Sequence, residues 1–518
     1  LGGETKSSPE PGMVAWTRWF AYNQVEQLPG LRTSRPERKP AMRLIGSACI
    51  FFLLCSAPCQ AMGDVAKPKN VVFILVDDLG WADLGCYGST FHKTPNLDRF
   101  AASGMRFTDA YAACPVCSPT RAAIMTGQHP ARVGITDWIP GQSPKNRKLL
   151  SNEDLDALPL TQVTLAEALK QHKYQTFFAG KWHLGSDGHF PEQQGFDINK
   201  GGHHKGSPPG GYYAPYKNPK LTDGEKGEYL PDRLTNESIS FLRSAGDDPF
   251  LLYLSYYTVH TPIQADRQSV NQFKGSAKEL GKSPAAIKER NGNTRARQDR
   301  PDYASMVYGM DRNVGRLLDS LKELGLDDNT AVFFTSDNGG LSTLKRPNAP
   351  TCNLPLRAGK GWCYEGGIRV PLIVRVPGLT TPGSTSSIPV TSMDYYPTIL
   401  SVLGLPQMPS QHMDGVDLTS ALRGNGTATS RTSLHWHYPH YHGSTWAPGA
   451  AIRAGEWKLI EFYDSSEVEL FNLSSDIGER TNLAATNPKK TRELREQLRN
   501  WQTGIGARMP RSNPAFAK

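Results

Sequence analysis

The chain has 518 residues, with 58 Lys+Arg against 49 Asp+Glu, 49 Gly, 39 Pro and 8 Cys. Single cores stop growing at roughly 250–300 residues, so this length excludes a small disulfide-stapled domain and predicts a large core with a smaller companion. With 38% hydrophobic and 21% charged residues, the composition excludes a disordered or polytopic chain.

The first element in chain order is a leader. Met42-Arg43 is followed by LIGSACIFFLLCSAPCQA, a short positive start, an apolar run and small residues near Ala61. That is the build of a secretory signal peptide over 42–61, cleaved near Ala61, and the run is too short to span ~30 Å of hydrocarbon as a stable membrane anchor. Residues 1–41, rich in Pro and Arg, read as an upstream extension outside any folded domain. The expected partner of this leader is the export machinery, and the expected location is periplasmic or extracellular. Without residues 1–61 the formal net charge falls from +9 to +6, so nothing singles out nucleic acid as a partner. Cys86, Cys114, Cys117, Cys352 and Cys363 remain. An odd number in an oxidising compartment calls for an explanation.

Residues 71–76, VVFILV, form a continuous apolar, β-branched run of the kind buried on both faces of a sheet, ending in Asp77-Asp78-Leu79-Gly80. The pattern repeats. TFFAG (176–180) follows helical TLAEALKQH, FLLYLSY (250–256) follows NESISFLRS, and AVFFTSD (331–337) follows NVGRLLDSLKELG, whose Leu317, Leu321 and Leu324 share a helical face. Alternating helix and strand predict an α/β fold with a largely parallel sheet, whose ligands bind beyond the carboxyl ends of the strands. Asp77 and Asp78, Lys181 and His183, His260, and Asp337 and Asn338 all lie at such ends. Segments 201–219 and 265–302 read as loops or small insertions. After DYYPTILSVLG (394–404) the pattern changes to the short strands SLHWHY (433–438), AAIRAGEWKLIEFY (450–463, turning at Gly455) and VELFNL (468–473). These predict a small antiparallel sheet, followed by a packed surface helix over 489–503.

The chemistry centres on Ala-Cys114-Pro-Val-Cys117-Ser-Pro119-Thr-Arg121. Ser118 and Pro119 predict a helix start with Cys117 at its N-terminus and Gly127 near its end, where the dipole favours a thiolate. Cys114-Pro-Val-Cys117 matches a C-x-x-C dithiol. Cys117-Ser-Pro-Thr-Arg121 is also C-x-P-x-R, which resembles the signature of the type I sulfatases of the alkaline phosphatase superfamily, whose cysteine is oxidised to formylglycine.

The resemblance extends from VVFILVDDLG through GKWHLG (180–185), VHTP (259–262) and SDNGG (336–340) to LRAGKGWCYEGGIRVP (356–371). It implies an alkaline-phosphatase-like mixed, mostly parallel sheet sandwiched by helices, with a catalytic domain over 67–415 and an antiparallel-sheet subdomain with terminal helix over 430–518. It also implies a maturation enzyme that generates formylglycine from Cys117. Asp77, Asp78, Asp337 and Asn338 are an oxygen-only donor set completed by the modified residue 117. Such a set suits a hard cation, Ca2+ with Mg2+ as the alternative, whereas zinc prefers His or Cys. In the family a formylglycine gem-diol attacks sulfur and the resulting intermediate breaks by elimination.

Carried over residue by residue, Cys117 (as formylglycine) is the nucleophile, Arg121 holds it, and Asp337 assists deprotonation. Lys181 and Lys360 clamp sulfate, and His183 takes the second proton. His260 contacts substrate and protonates the leaving alcohol. The aromatic and histidine-rich tract His435–His442, with His437 and His440, and the loop carrying His204 and Tyr212-Tyr213 are expected to line a sugar pocket. LHWHYPHYHG and GARMPRSNP resemble the corresponding blocks of bacterial exported carbohydrate sulfatases. The expected activity is hydrolysis of a sulfated carbohydrate. The alternatives are a phosphonate monoester or phosphodiester hydrolase using the same aldehyde, and an inactive carbohydrate-binding relative in which Cys117 is unmodified.

Overall fold

A computed structural model describes residues 67–141, 146–151, 153–279, 286–424 and 429–516. The leader and extension expected over 1–61 lie outside the described residues.

The main sheet has eight strands: β1 (Asn70–Val76), β2 (Met105–Phe107), β3 (Gln175–Gly180), β4 (Ile198–Lys200), β5 (Phe250–Ser255), β6 (Thr330–Ser336), β7 (Leu372–Arg375) and β8 (Ser384–Ser386). Their spatial order is β8-β2-β7-β6-β1-β5-β3-β4. Strands β6, β1, β5, β3 and β4 are parallel, whereas β7 runs antiparallel to both neighbours. The sheet is thus mixed and mostly parallel.

Seven helices matter to the argument: α1 (Pro95–Ser103), α2 (Cys117–Thr126), α3 (Leu165–Lys170), α4 (Leu230–Ser244), α5 (Pro301–Glu323), α6 (Tyr395–Leu403) and α7 (Pro488–Gly504). Every residue of β1 is buried because both faces of the sheet are covered. Alternation of side chains along the strand sorts them. Val71, Phe73 and Leu75 pack with residues of α2, α3 and α6, and Val72, Ile74 and Val76 with residues of α1, α4 and α5.

Local signals explain several helix limits. Thr164 and Glu167 form a reciprocal capping box at the start of α3. The N-terminus of α1 opens with Pro95 and lacks a side-chain cap from Thr94; Asp311 of α5 supplies it, accepting from the backbone N–H of Asn96 at 3.2 Å and of Leu97 at 2.8 Å. Helix α5 is longer than its amphipathic core predicts. Leu317 and Leu321 are buried, but Leu324 lies beyond the helix end and is 39% exposed, so the expected three-leucine face stops one turn early. Within 265–302 the chain forms a helix, Asn271–Glu279, and two short strands rather than loop alone.

The C-terminal region builds a second sheet from β9 (Ser433–Tyr438), β10 (Gly449–Ala454), β11 (Trp457–Phe462) and β12 (Val468–Asn472), antiparallel throughout. One of its faces is covered by α7 through Leu494 and Leu498. The other meets the main body, where Lys458 bridges Glu365 and Glu479 at 2.8 Å each and all three side chains are fully buried. Arg453 and Arg369 converge on Asp109 in the same seam. Residues from 67 onward form one compact unit.

Candidate active site at the carboxyl rim of the sheet

Strand β1 ends at Val76, and the next two residues turn away from the sheet. Asp78 sits at φ 60°, a left-handed conformation that costs a non-glycine residue and marks a position held by its surroundings. The adjacent strand end holds it, since Asp78 N–H donates to Asp337 Oδ1 at 3.2 Å and Leu79 N–H to Ser336 Oγ at 3.0 Å. Asn338 Nδ2 donates to Asp78 Oδ1 at 2.8 Å. Two sequence-distant pairs, Asp77-Asp78 and Asp337-Asn338, are thereby fused into one cluster because β1 and β6 are hydrogen-bonded neighbours.

Each carboxylate faces a cation. Lys181 Nζ lies 2.7 Å from Asp77 Oδ2, Lys360 Nζ 2.7 Å from Asp78 Oδ1, and Arg121 Nη2 2.7 Å from Asp337 Oδ2. Arg121 also donates through Nη1 to Lys181 O and Ser255 Oγ, both at 2.7 Å, which locks α2 against the ends of β3 and β5. Burial holds the Asp77 carboxyl well above its ordinary range despite Lys181, with Asp337 and Asp78 adding repulsion. Asp78 behaves oppositely: it is equally buried, but Lys360, His260 and Lys181 together hold it below the ordinary range.

Pairing is incomplete. Asp77 Oδ1 and Asn338 Oδ1 are buried without a hydrogen-bond partner, which is costly unless something else meets them. Two unsatisfied oxygens next to a cluster of Asp77, Asp78 and His260 donors within 4.8 Å of one another fit a hard cation. The oxygen set of Asp77, Asp78, Asp337 and Asn338 suits such an ion better than the histidine nitrogen does.

Cys117 opens α2, with Val116 as its N-cap and Gly127, at φ 66°, as its left-handed C-cap. Ser118 does not cap this helix as its type suggested. Its Oγ instead donates to His183 O at 2.9 Å and accepts from Ile139 N–H at 3.1 Å, tying α2 to the segment after β3. Cys117 Sγ is 3.3 Å from His183 Nδ1. His183 Nε2 is 2.6 Å from Ile139 O, and a carbonyl only accepts, so the ring proton is on Nε2 and Nδ1 is the acceptor facing residue 117. Burial holds His183 well below its ordinary range, with Lys181 adding to the shift.

The helix terminus does not produce a thiolate here. Burial raises the Cys117 thiol, outweighing Lys181 and Lys360. Cys114 lies buried with Sγ 3.8 Å from Thr136 O, and Cys86, Cys114, Cys117, Cys352 and Cys363 are all free, so the C-x-x-C forms no disulfide.

The cluster opens into a cavity of about 750 Å3, lined among others by Asp78, Cys117, His183, His260, Lys360 and His442. His260 Nδ1 donates to Thr261 O at 2.7 Å, which leaves Nε2 facing Asp78 Oδ2 at 3.9 Å. Its pKa is lowered to about 3 by burial and by Lys360. Gly206 closes over His183, since a Cβ there would come within 2.4 Å of the imidazole. His204 on the same loop lines the cavity as expected.

The histidine-rich tract divides. His442 lines the cavity; Ser444 N–H donates to its Nδ1 at 3.1 Å, so Nε2 carries the ring proton. His440 faces a neighbouring cavity and bonds Thr136 Oγ1 at 2.8 Å. His437, expected in the pocket, is instead buried between the second sheet and α7, with Tyr463 OH and Arg508 O each at 3.1 Å. Strand alternation explains the division: within β9, His435 and His437 point to the α7 side while Trp436 packs towards the main body, and His440 and His442 follow the strand end. Tyr212 is likewise buried, its hydroxyl donating to Tyr257 O and His260 O, and Tyr213 packs under Arg267; neither covers the mouth. Trp138 and Ser255 were missed by sequence reasoning. No motif marks either; adjacency across β3, β5 and α2 places Ser255, and the segment after α2 places Trp138.

A nucleophile position, three side-chain cations and an oxygen-rich cluster at the carboxyl rim of a mostly parallel sheet define a hydrolase of tetrahedral oxyanion esters. Residues 69–405 match the sulfatase family model, and 358–504 match the model for the C-terminal part of N-sulphoglucosamine sulphohydrolase. A sulfatase of Formosa agariphila is 30% identical, covering 90% of this chain and 96% of its own. Arylsulfatase A of Homo sapiens is 33% identical, covering 85% and 88%. The solved structure of Ps i-CgsB in complex with k-i-k-neocarrahexaose superposes with a TM-score of 0.69 at 32% identity, covering 84% of this chain and 93% of that one. The chain belongs to the sulfatase family and is a sulfuric ester hydrolase with an alkaline-phosphatase-like fold.

Proposed function

We propose that the protein removes sulfate from a sulfated carbohydrate, with residue 117 as formylglycine and a Ca2+ ion bound by Asp77, Asp78, Asp337 and Asn338. The observation that carries this reading is the pair of oxygens on Asp77 and Asn338 without hydrogen-bond partners beside a buried Cys117, whose thiol burial pushes up. A neutral, buried thiol is a poor nucleophile, whereas the hydrated formylglycine supplies an oxygen nucleophile at the same place. The cation would neutralise charge developing on that oxygen and on sulfate.

The chain's own residues do the rest. Arg121, fixed by Asp337, Ser255 and Lys181 O, positions residue 117 and the acid cluster. Lys181 and Lys360 stand on either side of the cluster to hold sulfate oxygens. Three acid side chains already face three side-chain cations, so a divalent ion would leave the site net positive, which suits an anionic sulfate ester. The unprotonated Nδ1 of His183 is the acceptor for a proton at residue 117. His260, opening on the cavity with Nε2 towards the cluster, is the donor to the leaving alcohol once anionic substrate raises its affinity for a proton.

The carbohydrate substrate is supported by the cavity, in which His442 and His204 offer ring nitrogens beside the sulfate position, and by the bound oligosaccharide of Ps i-CgsB. We place the catalytic work in residues 67–415, with the C-terminal sheet contributing His442, and infer an exported protein matured by a formylglycine-generating enzyme. Mass spectrometry of the tryptic peptide carrying residue 117 should find about 18 Da less than cysteine by covalent mass. Sulfate release should be measured on galactose, N-acetylgalactosamine and glucosamine sulfates beside phosphate di- and monoesters. A thiol at 117 in an active preparation overturns the nucleophile, and preference for phosphodiesters overturns the substrate class.

A further inference from the structure

The catalytic cavity does not end at the sulfate position. A second cavity, of about 230 Å3, shares Trp138, Ile139, Pro140 and Asp156 with the first, so one side-chain wall is common to both. Its far side is built by the end of the chain. After α7 the chain returns to pair Arg511–Ser512 antiparallel with Leu149–Leu150, and Asn513 clamps the strap, its N–H donating to Lys148 O at 3.0 Å and its Nδ2 to Arg147 O at 2.8 Å. Arg508 Nη1 donates to Glu153 O at 2.9 Å, fastening the strap to the opposite wall. The result places Arg511 in the second cavity and not in the first.

This arrangement explains the C-terminal GARMPRSNP segment, which the catalytic chemistry leaves without a role. The segment after α7 crosses back over the surface and walls a cavity that shares lining residues with the catalytic one. The second cavity's charge is also distinctive. Asp137, Glu153, Asp154 and Asp156 line it against Arg511. Asp137 accepts from Tyr438 OH at 2.8 Å and Asp154 from the backbone N–H of Thr136 and of Asp137, so the exposed Glu153 and Asp156 are the carboxylates open to a ligand, with His440 held neutral by burial at a pKa of about 3. The first cavity, with Lys360, favours an anion, whereas Glu153 and Asp156 make the second less favourable to one.

Resting on the carbohydrate reading above, we propose that the second cavity is a distal sugar subsite, so that the substrate is an oligosaccharide whose unit next to the sulfated one is uncharged. Trp138 forms the partition between the two units, offering an aromatic surface to both, and Arg511 donates hydrogen bonds to hydroxyls of the distal unit. A sulfate or uronate in that position meets the Glu153 and Asp156 carboxylates and is disfavoured.

The test compares, on one preparation, kcat/KM for a sulfated monosaccharide with that for oligosaccharides carrying the same terminal sulfate next to a neutral or an anionic unit. The wild-type protein is expected to favour the neutral-neighbour oligosaccharide over the monosaccharide and over the anionic-neighbour oligosaccharide, each by roughly tenfold, the equivalent of about 1.4 kcal/mol. Arg511→Ala should remove most of the first preference, and Glu153→Lys should raise turnover of the anionic-neighbour substrate, a gain that damage to folding cannot produce. Turnover of the monosaccharide with unchanged ratios in both variants overturns the subsite and leaves the carbohydrate reading intact. Turnover of aryl sulfates with none of any sulfated carbohydrate overturns both.

Discussion

Two buried charge clusters of similar size lie in this molecule, and they are built to opposite ends. In the seam between the sheets, Lys458 is shared by Glu365 and Glu479, and Arg369 and Arg453 share Asp109. At the rim of the main sheet, Asp77, Asp78 and Asp337 face Lys181, Lys360 and Arg121. Both clusters hold buried oxygens without a hydrogen-bond partner, Asp77 Oδ1 and Asn338 Oδ1 at the rim and Glu479 Oε1 in the seam, and both hold left-handed backbone, at Asp78 and His183 and at Glu479. Burial, an unpartnered oxygen and left-handed backbone therefore do not by themselves mark the functional cluster. The mark is access: the rim cluster opens into a cavity of about 750 Å3 at Asp78, Cys117, His183 and Lys360, and no seam residue lines it.

The largest test of that contrast is at residue 117. Cys117→Ala is expected to lower kcat/KM by roughly 10^4-fold or more, because a nucleophile acts as a unit with its neighbours. The melting temperature should stay near wild type, since the residue contributes little apolar packing. Activity within a factor of ten of wild type would remove the nucleophile assignment.

Next is the cation. Ca2+ at a hundredfold excess over its Kd should stabilise the wild-type protein by about 2.7 kcal/mol, read as a rise in melting temperature that a chelator reverses. Asp77→Asn should abolish that rise together with most of the activity. A Ca2+-independent melting curve in the wild type would show that the orphaned oxygens have another purpose.

The seam should respond the other way. Lys458→Ala removes the ammonium shared by two buried carboxylates and is expected to destabilise by about 3 kcal/mol, since Glu365 keeps Tyr111 OH and Glu479 keeps the Glu365 N–H. The fraction that remains folded should keep its kcat, because none of these side chains lines the catalytic cavity. A selective fall in kcat at full folding would mean that the seam positions the active site.

The smallest effect concerns pH. Burial raises the Asp311 carboxyl from 3.8 to about 6. Between those values the folded state holds more protons than the unfolded one, so this group's contribution weakens stability as pH rises from about 4 to 6. The melting temperature of Asp311→Asn relative to wild type should therefore climb over that interval, although the variant also weakens the cap on α1. A difference independent of pH would contradict the sign.

Much of the rim is legible in the residues alone. Asp77-Asp78 and Asp337-Asn338 each follow a continuous apolar strand, and strand ends are where α/β folds place polar ligands. Lys181, His183, His260 and Lys360 fall in segments resembling the family and gather as that resemblance implies. Legibility ends where a role depends on direction. His437 carries the same side chain as His442, but β9 turns it towards α7. Ser118 has a capping side chain, but His183 O and Ile139 N–H use it first. The cavity wall at Trp138 has no local signal, and the resemblance of GARMPRSNP does not say where Arg511 lies, because both placements arise from distant segments meeting.

By itself the sequence determined the alternating α/β core, the change to an antiparallel sheet near residue 430, and the chemical inventory of the site. Those depend on apolar periodicity and on residue type, which are local. The tertiary structure decided which acids share a cluster, which oxygens lack partners, which proton sits on which imidazole nitrogen, and whether the Cys117 thiol is ionised. These depend on burial and on hydrogen bonds between residues far apart in the chain, and burial proved strong enough to reverse the expectation that a helix terminus would ionise Cys117.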